Sequence, residues 1–281
     1  MKISLFLNKD LESNIALNCL LPTLIHHEFN IYLSEKVGKE SAINPLQQLA
    51  FLEREFPNKY LFPQLENTPT NGLLSFDQIG KKYGVSITLI ETLGSSLGDI
   101  SAFKPDLFIS IRFGKLFKGK IISTPPLGII NLHSAILPNY KGVLGTFRAI
   151  LNGDQTIGST LHYISDSGID TGEIIGTNHQ TVTPGKSVLW HIINIYPLAC
   201  EKLVTIINKI ANHKTIASFQ QIGTGNYYTF PTQEQFDQLK EGKVELFNLN
   251  EYTDLISELY KVDQAWVEET LQSTWPANPD L

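Results

Sequence analysis

Arginine, cysteine and long apolar runs are scarce in this chain of 281 residues. Arginine occurs only at positions 54, 112 and 148, and the formal net charge is −6, which argues against nucleic acid as the main partner. Two isolated cysteines, Cys19 and Cys200, make neither a disulfide framework nor a metal cluster, so we expect buried thiols, no metal and a cytoplasmic location. No apolar stretch approaches bilayer-spanning length, and the first apolar run stops at Asn8, too early for a signal peptide. These scarcities favour a small molecule as partner and no membrane.

Phosphate-binding glycine motifs are also missing. After the first apolar stretch the chain reads Asn8-Lys9-Asp10-Leu11, whereas a dinucleotide site needs a G-x-G-x-x-G turn there. Gly185-Lys186-Ser187 imitates the end of a P-loop, but Gln180 stands where that motif has its first glycine. We therefore expect neither NAD nor FAD.

Strand and helix patterns alternate along most of the chain. The predicted strands are 2–7, 30–33, 85–90, 107–111, 129–132, 158–164 and 173–182, the predicted helices are 12–27, 46–56, 76–83, 140–151 and 187–211, and 57–72 is a predicted loop. This alternation predicts an α/β fold with a Rossmann-like, doubly wound, mostly parallel sheet. After Ala217 the chain becomes turn-rich with short elements, so we expect a main domain over 1–217 and a small C-terminal α+β appendage over 218–281.

One predicted strand, 129–132, leads directly into polar residues. Side chains alternate along a strand, so Asn131 and His133 should point the same way. Ligands of open α/β sheets bind beyond the carboxyl ends of strands, which is where these two residues lie. Asp170, between two glycines, is a third candidate. Taken singly, each also fits an ordinary structural role, namely a cap, a core histidine and a turn aspartate.

Four ordered blocks carry a family pattern. They are Phe113-Gly114-Lys115-Leu116-Phe117, residues 131–142, residues 158–162 and Gly168-Ile169-Asp170-Thr171-Gly172-Glu173-Ile174. In order and approximate spacing they resemble the formyltransferase catalytic domain, whose members include methionyl-tRNA formyltransferase, glycinamide ribonucleotide transformylase and the sugar N-formyltransferases. The resemblance is specific over about 109–182, weaker along the first hundred residues and faint after residue 217.

The resemblance implies a formyltransferase that uses 10-formyltetrahydrofolate as formyl donor. It implies that Asn131, His133 and Asp170 form the catalytic set. The Asn131 amide would stabilise the formyl oxygen, His133 would act as a base or support that oxygen, and Asp170 would orient the imidazole. The residues that it implies for the donor pocket are Phe113, Lys115, Leu116, Phe117, Leu137, Gly168 and Ile169. Leu137 and Phe113 fit ordinary core positions about equally well, and His162 fits a structural role.

The acceptor is less defined than the donor. The layout is most similar to sugar N-formyltransferases, and the segment 226–231, which reads NYYTFP, is similar to the tail of some of them. The first expectation is therefore a small-molecule amine, such as a nucleotide-linked amino sugar, with a homodimer left open. Alternatives are a methionyl-tRNA formyltransferase-like enzyme or another amine formyltransferase, a catalytically silent folate- or nucleotide-binding protein, and hydrolysis of the donor.

Overall fold

The sheet that organises the molecule is mostly parallel. A computed structural model of the chain describes residues 1–35, 42–68 and 71–276. Its strands are β1 (Lys2–Asn8), β2 (Glu28–Ser34), β3 (Ile87–Leu89), β4 (Leu107–Ile111), β5 (Ile129–His133), β6 (Lys141–Gly142), β7 (Thr156–Tyr163), β8 (Ile174–Thr181) and β9 (Tyr227–Tyr228). Seven of them form one sheet in the order β3-β2-β1-β4-β5-β7-β8, while β6 and β9 pair separately. The first five strands of the sheet, β3, β2, β1, β4 and β5, are parallel to one another. Strand β7 is antiparallel to β5, and β8 is antiparallel to β7.

Helices connect the strands and continue to the end of the described chain. They are α1 (Leu11–Leu24), α2 (Asn44–Ala50), α3 (Phe62–Asn67), α4 (Phe76–Tyr83), α5 (Leu97–Ala102), α6 (Gly145–Leu151), α7 (Val188–Ala211), α8 (Gln233–Glu241), α9 (Leu249–Tyr260) and α10 (Gln264–Thr274). The start of α1 is fixed by Asp10, whose carboxylate accepts a hydrogen bond from the Ser13 N–H. Along the described residues, no helix combines the length and apolarity needed to cross a membrane.

The two faces of the sheet are covered by different cores. Along β1, Leu5 and Leu7 belong to the larger apolar core, which also contains the buried sides of α1 and α7. Phe6 faces the other way and packs on Tyr32 and Phe108, in a smaller, aromatic core. Because both faces are buried, the strands are near-continuous apolar runs. The Rossmann-like, doubly wound fold predicted from the sequence is thereby confirmed.

Two predicted elements are wrong. The segment 57–72 was expected to be a loop, but Pro57–Leu61 is π-helical and runs into α3. Proline is tolerated in a first helical turn, and burial of Leu61 and Leu65 in the core supports the helix despite its proline and asparagine content. The helix predicted over 140–151 begins only at Gly145, because Lys141 and Gly142 pair with β9 instead.

The C-terminal helices share the core of the main sheet. Tyr252 of α9 is buried and donates its hydroxyl hydrogen to the Leu52 carbonyl, at 2.8 Å. Tyr260, also buried, donates to Asn14 Oδ1 of α1, at 2.8 Å. The regular elements among the described residues after 217 are the two-residue β9 and the helices α8 to α10, and Phe219 forms an isolated bridge with Ile174. The domain boundary at 217 stays a prediction.

Candidate active site

Asn131 and His133 lie on β5, between β4 and the antiparallel β7. The strand places Asn131 directly opposite His162 of β7. Asn131 Nδ2 lies 3.0 Å from His162 Nε2. Asn131 and His133 both turn towards Asp170 and its neighbours, as the period of two predicts.

His133 is buried and both of its ring nitrogens have defined neighbours. Its Nε2 lies 2.6 Å from the main-chain carbonyl oxygen of Tyr140, which can only accept, so Nε2 carries a hydrogen. Its Nδ1 lies 3.6 Å from Asp170 Oδ2. The nitrogen available for proton exchange is therefore Nδ1, which faces a carboxylate.

Asp170 lies in the loop between β7 and β8, with a left-handed backbone at φ +54°. Its Oδ2 accepts a hydrogen bond from the Gly142 N–H at 2.8 Å. Burial alone would raise the pKa of the Asp170 carboxyl, but the charges of His133 and His162, with hydrogen bonds from His162 and Gly142, lower it well below its usual range. Asp170 is accordingly an ionised carboxylate at neutral pH.

His162 completes the cluster; the resemblance puts it where family members often have a histidine, although the residue also fits a structural role. Its Nε2 lies 3.3 Å from Asp170 Oδ1, and its Nδ1 lies 2.9 Å from the Tyr163 carbonyl. Asp170 is thus held between two imidazoles. The alternation along its strand shows which face His162 is on, but its place opposite Asn131 depends on the register between β5 and β7.

The predicted donor-pocket residues fall into three segments. The rings of Phe113 and Phe117 both pack on Phe6, so their side chains are core, while Leu116 between them is half exposed, at 50%. Lys115 lies in the same segment, after β4. Leu137 is buried, with its N–H donated to Thr160 Oγ1 at 3.1 Å.

The third donor segment is the loop that carries Asp170. Gly168 is exposed and its N–H donates to Asp166 Oδ1, at 2.7 Å. Ile169, next to Asp170, is 36% exposed. Two of the predicted segments therefore present an exposed apolar side chain, Leu116 in one and Ile169 in the other.

The aromatic segment 226–231 lies beside the cluster. Tyr227 and Tyr228 form β9, which pairs with Lys141 and Gly142, and Gly142 is the residue that donates to Asp170. The Tyr228 ring stacks on the Tyr140 ring, and the centroids of the two rings are 5.9 Å apart. The guanidinium carbon of Arg148 lies 5.0 Å from the centroid of the Tyr228 ring. Tyr227 is 57% exposed. Tyr228 therefore anchors the segment, and the side chain of Tyr227 is accessible for contact with a ligand.

Comparisons with known proteins identify the middle of the chain. Residues 94–189 match the family model described as "Formyl transferase". The methionyl-tRNA formyltransferase of Kosmotoga olearia is 34% identical over 99 residues, which are 34% of this chain and 32% of that protein. The matched part spans about a third of that curated relative. The resemblance carried by the four sequence blocks is confirmed over residues 94–189, which contain all four.

Solved structures share the fold over most of the chain. An N-formyltransferase from Helicobacter canadensis has a TM-score of 0.54 and 21% identity, covering 81% of this chain and 70% of that one. Glycinamide ribonucleotide transformylase 1 from Symbiobacterium toebii has a TM-score of 0.56 and 15% identity, covering 80% of this chain and 94% of that one.

Proposed function

We propose that this chain, whose residues 94–189 form a formyl transferase domain, transfers a formyl group from 10-formyltetrahydrofolate to an amine. The observation that carries the proposal is the convergence of Asn131, His133 and Asp170, which come from a strand and a distant loop. A carboxylate, an imidazole and an amide brought together in this way suit acyl transfer to an amine.

Each polar group of the cluster has a distinct task in this reaction. The acceptor nitrogen would form a bond to the formyl carbon and lose a proton, while the bond between that carbon and the donor nitrogen breaks and tetrahydrofolate leaves with a proton on that nitrogen. Asn131 Nδ2 is a hydrogen-bond donor that can stabilise negative charge on the formyl oxygen. His133 Nδ1 is the atom that handles the proton, and Asp170 stabilises the charged imidazole.

The donor would contact the segments that the family resemblance implies. When bound, 10-formyltetrahydrofolate supplies an activated formyl carbon. The exposed side chains of Leu116 and Ile169 offer apolar contact to a flat ring system, and main-chain groups of Lys115 and Phe117 offer hydrogen bonds. Gly168 allows a ligand to approach the loop backbone closely. The Helicobacter canadensis N-formyltransferase, which shares the fold, was solved with folinic acid and dTDP-3-aminofucose.

A nucleotide-linked amino sugar is the acceptor that we propose first. Its support is the exposed ring of Tyr227, which can stack on a base or a sugar. Tyr227 pairs with Lys141, the residue before Gly142, and Gly142 donates to Asp170. The net charge of −6 also disfavours a long polyanion. A second candidate, methionyl-tRNA, is favoured by the similarity to the Kosmotoga olearia enzyme.

The test is a formyl-transfer assay with 10-formyltetrahydrofolate. Purified protein is incubated with the donor and, in separate reactions, with a panel of dTDP- and UDP-linked amino sugars or with methionyl-tRNA, and formylated product is detected by mass spectrometry. We expect product with at least one amino sugar. Formate release without acceptor would indicate hydrolysis, and donor binding without any transfer would indicate a silent binding protein.

A further inference from the structure

We infer that Ser34 and Asn8 are positioning residues for the donor-binding segment, acting through a closed ring of hydrogen bonds between Arg112 and Gly114. This inference rests on the proposed function, since it concerns how that function's donor pocket is held in shape. It assigns a role to the ends of β1 and β2, which carry none of the predicted site residues.

The ring runs through the carboxyl ends of three neighbouring strands. The Gly114 N–H donates to Ser34 Oγ at 2.9 Å, and the Ser34 hydroxyl donates to Asn8 Oδ1 at 3.0 Å. The Asn8 amide then donates to Asp10 Oδ2 at 2.8 Å. Arg112 Nε donates to the same Asp10 oxygen, also at 2.8 Å. The chain between Arg112 and Gly114 is therefore held at both ends by one network.

The three side chains at the centre of the ring are buried, so the hydrogen bonds between them are shielded from water. Asn8 is 4% exposed, and Asp10 and Ser34 are not exposed at all. Inside a protein a satisfied polar network fixes geometry strongly, because each unpaired member would be costly. Breaking one link should therefore loosen the segment that the ring holds.

Ion pairs reinforce the Arg112 end of the ring. The Arg112 guanidinium lies 3.3 Å from a carboxylate oxygen of Glu53 and 3.6 Å from one of Glu12, in addition to Asp10. Burial raises the pKa of Glu12 well above its usual value, although the charge of Arg112 opposes this shift. The raised pKa favours the neutral form of Glu12, and this limits the repulsion among Asp10, Glu12 and Glu53.

The backbone that is held in this way is strained. Arg112 has a left-handed conformation, at φ +55°, which a non-glycine residue adopts only when its surroundings enforce it. Directly after it come Phe113 and the segment with the exposed Leu116. We infer that the ring sets the direction in which Lys115, Leu116 and Phe117 present their main-chain groups to the donor.

The experiment is Ser34→Ala in the full chain, with steady-state kinetics for donor and acceptor. Loss of the acceptor for Gly114 N–H should raise the KM for 10-formyltetrahydrofolate about fivefold while kcat at saturating donor stays within about twofold. Asn8→Ala breaks the ring at another link without changing charge and should raise the same KM. Hydrogen exchange at the Gly114 amide, read by mass spectrometry of its peptide, should become faster in both variants.

Ser4→Ala is the matched control. Ser4 is a buried serine on β1 whose hydroxyl oxygen has no hydrogen-bond partner among the residues that the structure describes, so its loss should change neither the donor KM nor the exchange. An unchanged donor KM in Ser34→Ala, or a fall in kcat alone, overturns the positioning role while leaving the proposed function intact. Absence of donor binding by the wild-type protein overturns the proposed function, and this role with it.

Discussion

The Gly142 N–H donates to the Asp170 carboxylate at 2.8 Å, while Gly142 itself pairs with Tyr228 of β9. This glycine therefore joins the proposed catalytic carboxylate to the aromatic segment from the C-terminal part of the chain. A disturbance at Gly142 should reach both the geometry of the catalytic cluster and the proposed acceptor side.

Replacing Gly142 by alanine should destabilise the protein and lower its activity. Gly142 has φ +91°, and an added Cβ would collide with the Tyr228 carbonyl oxygen and lie 3.0 Å from the Tyr227 ring. We expect a loss of about 2 kcal/mol in the free energy of unfolding, measured with urea. Gly153→Ala is the control, because Gly153 also has a positive φ, +81°, but no atom lies within 4 Å of its added Cβ. Equal losses in the two variants would rule out the collision as the cause.

Asp170→Asn should change how stability depends on pH. Because the folded-state pKa of Asp170 is depressed, its contribution to stability is present above the unfolded pKa of about 3.9 and is lost as the pH falls below it. Between about pH 5 and pH 3, the free energy of unfolding should therefore fall more steeply in the wild type than in Asp170→Asn. Denaturant titrations at several pH values measure this. Parallel curves for wild type and Asp170→Asn would contradict the expected linkage.

Asn131→Ala should lower kcat by about a hundred- to a thousandfold, because a donor to the formyl oxygen is lost in the transition state. The KM for the donor should change much less. Initial rates with the acceptor identified in the panel provide the measurement. Asn178→Ala, which removes a half-buried strand asparagine whose amide donates to the Leu198 carbonyl, is the control and should leave kcat unchanged. A kcat within about threefold of wild type would remove Asn131 from the proposed mechanism.

Tyr227→Ala should weaken acceptor binding and little else. Its ring is 57% exposed, so its removal should leave the free energy of unfolding within about 0.5 kcal/mol of wild type. The KM for a nucleotide-linked amino sugar should rise about tenfold through lost stacking, with the donor KM unchanged. Leu198→Ala, which truncates a similarly exposed side chain on α7, should change neither constant. If the acceptor KM does not move, the aromatic segment has no part in acceptor recognition.

The predicted donor-pocket segment 113–117 shows what a local sequence pattern can and cannot predict. The block from Phe113 to Phe117 is a donor-pocket candidate through its resemblance to the formyltransferase family, and its place after β4 follows from the strand pattern. Its support was not recognisable, because Ser34 and Asn8 meet Gly114 only when β1, β2 and β4 are aligned side by side. Hydrogen bonds between distant residues depend on strand order and register, which leave no local trace.

The two wrong predictions about helices also have a cause in the tertiary structure. Pro57 and its polar neighbours favour a loop locally, yet burial of Leu61 and Leu65 keeps this stretch helical. Lys141 and Gly142 could continue a helix towards α6, but pairing with β9 gives them an extended conformation. In both cases tertiary packing outweighs a weak local preference.

By itself the sequence determined the alternation of strands and helices, the pairing of Asn131 with His133 on one face of a strand, and the family to which the central blocks belong. Those properties follow from residue spacing along the chain, which fixes side-chain direction within an element. Only the tertiary structure decided that His162 would join Asp170 and that β9 would lie against Gly142. Contacts of that kind arise from the relative placement of whole elements, which is set by the packing of the core and not by any one segment.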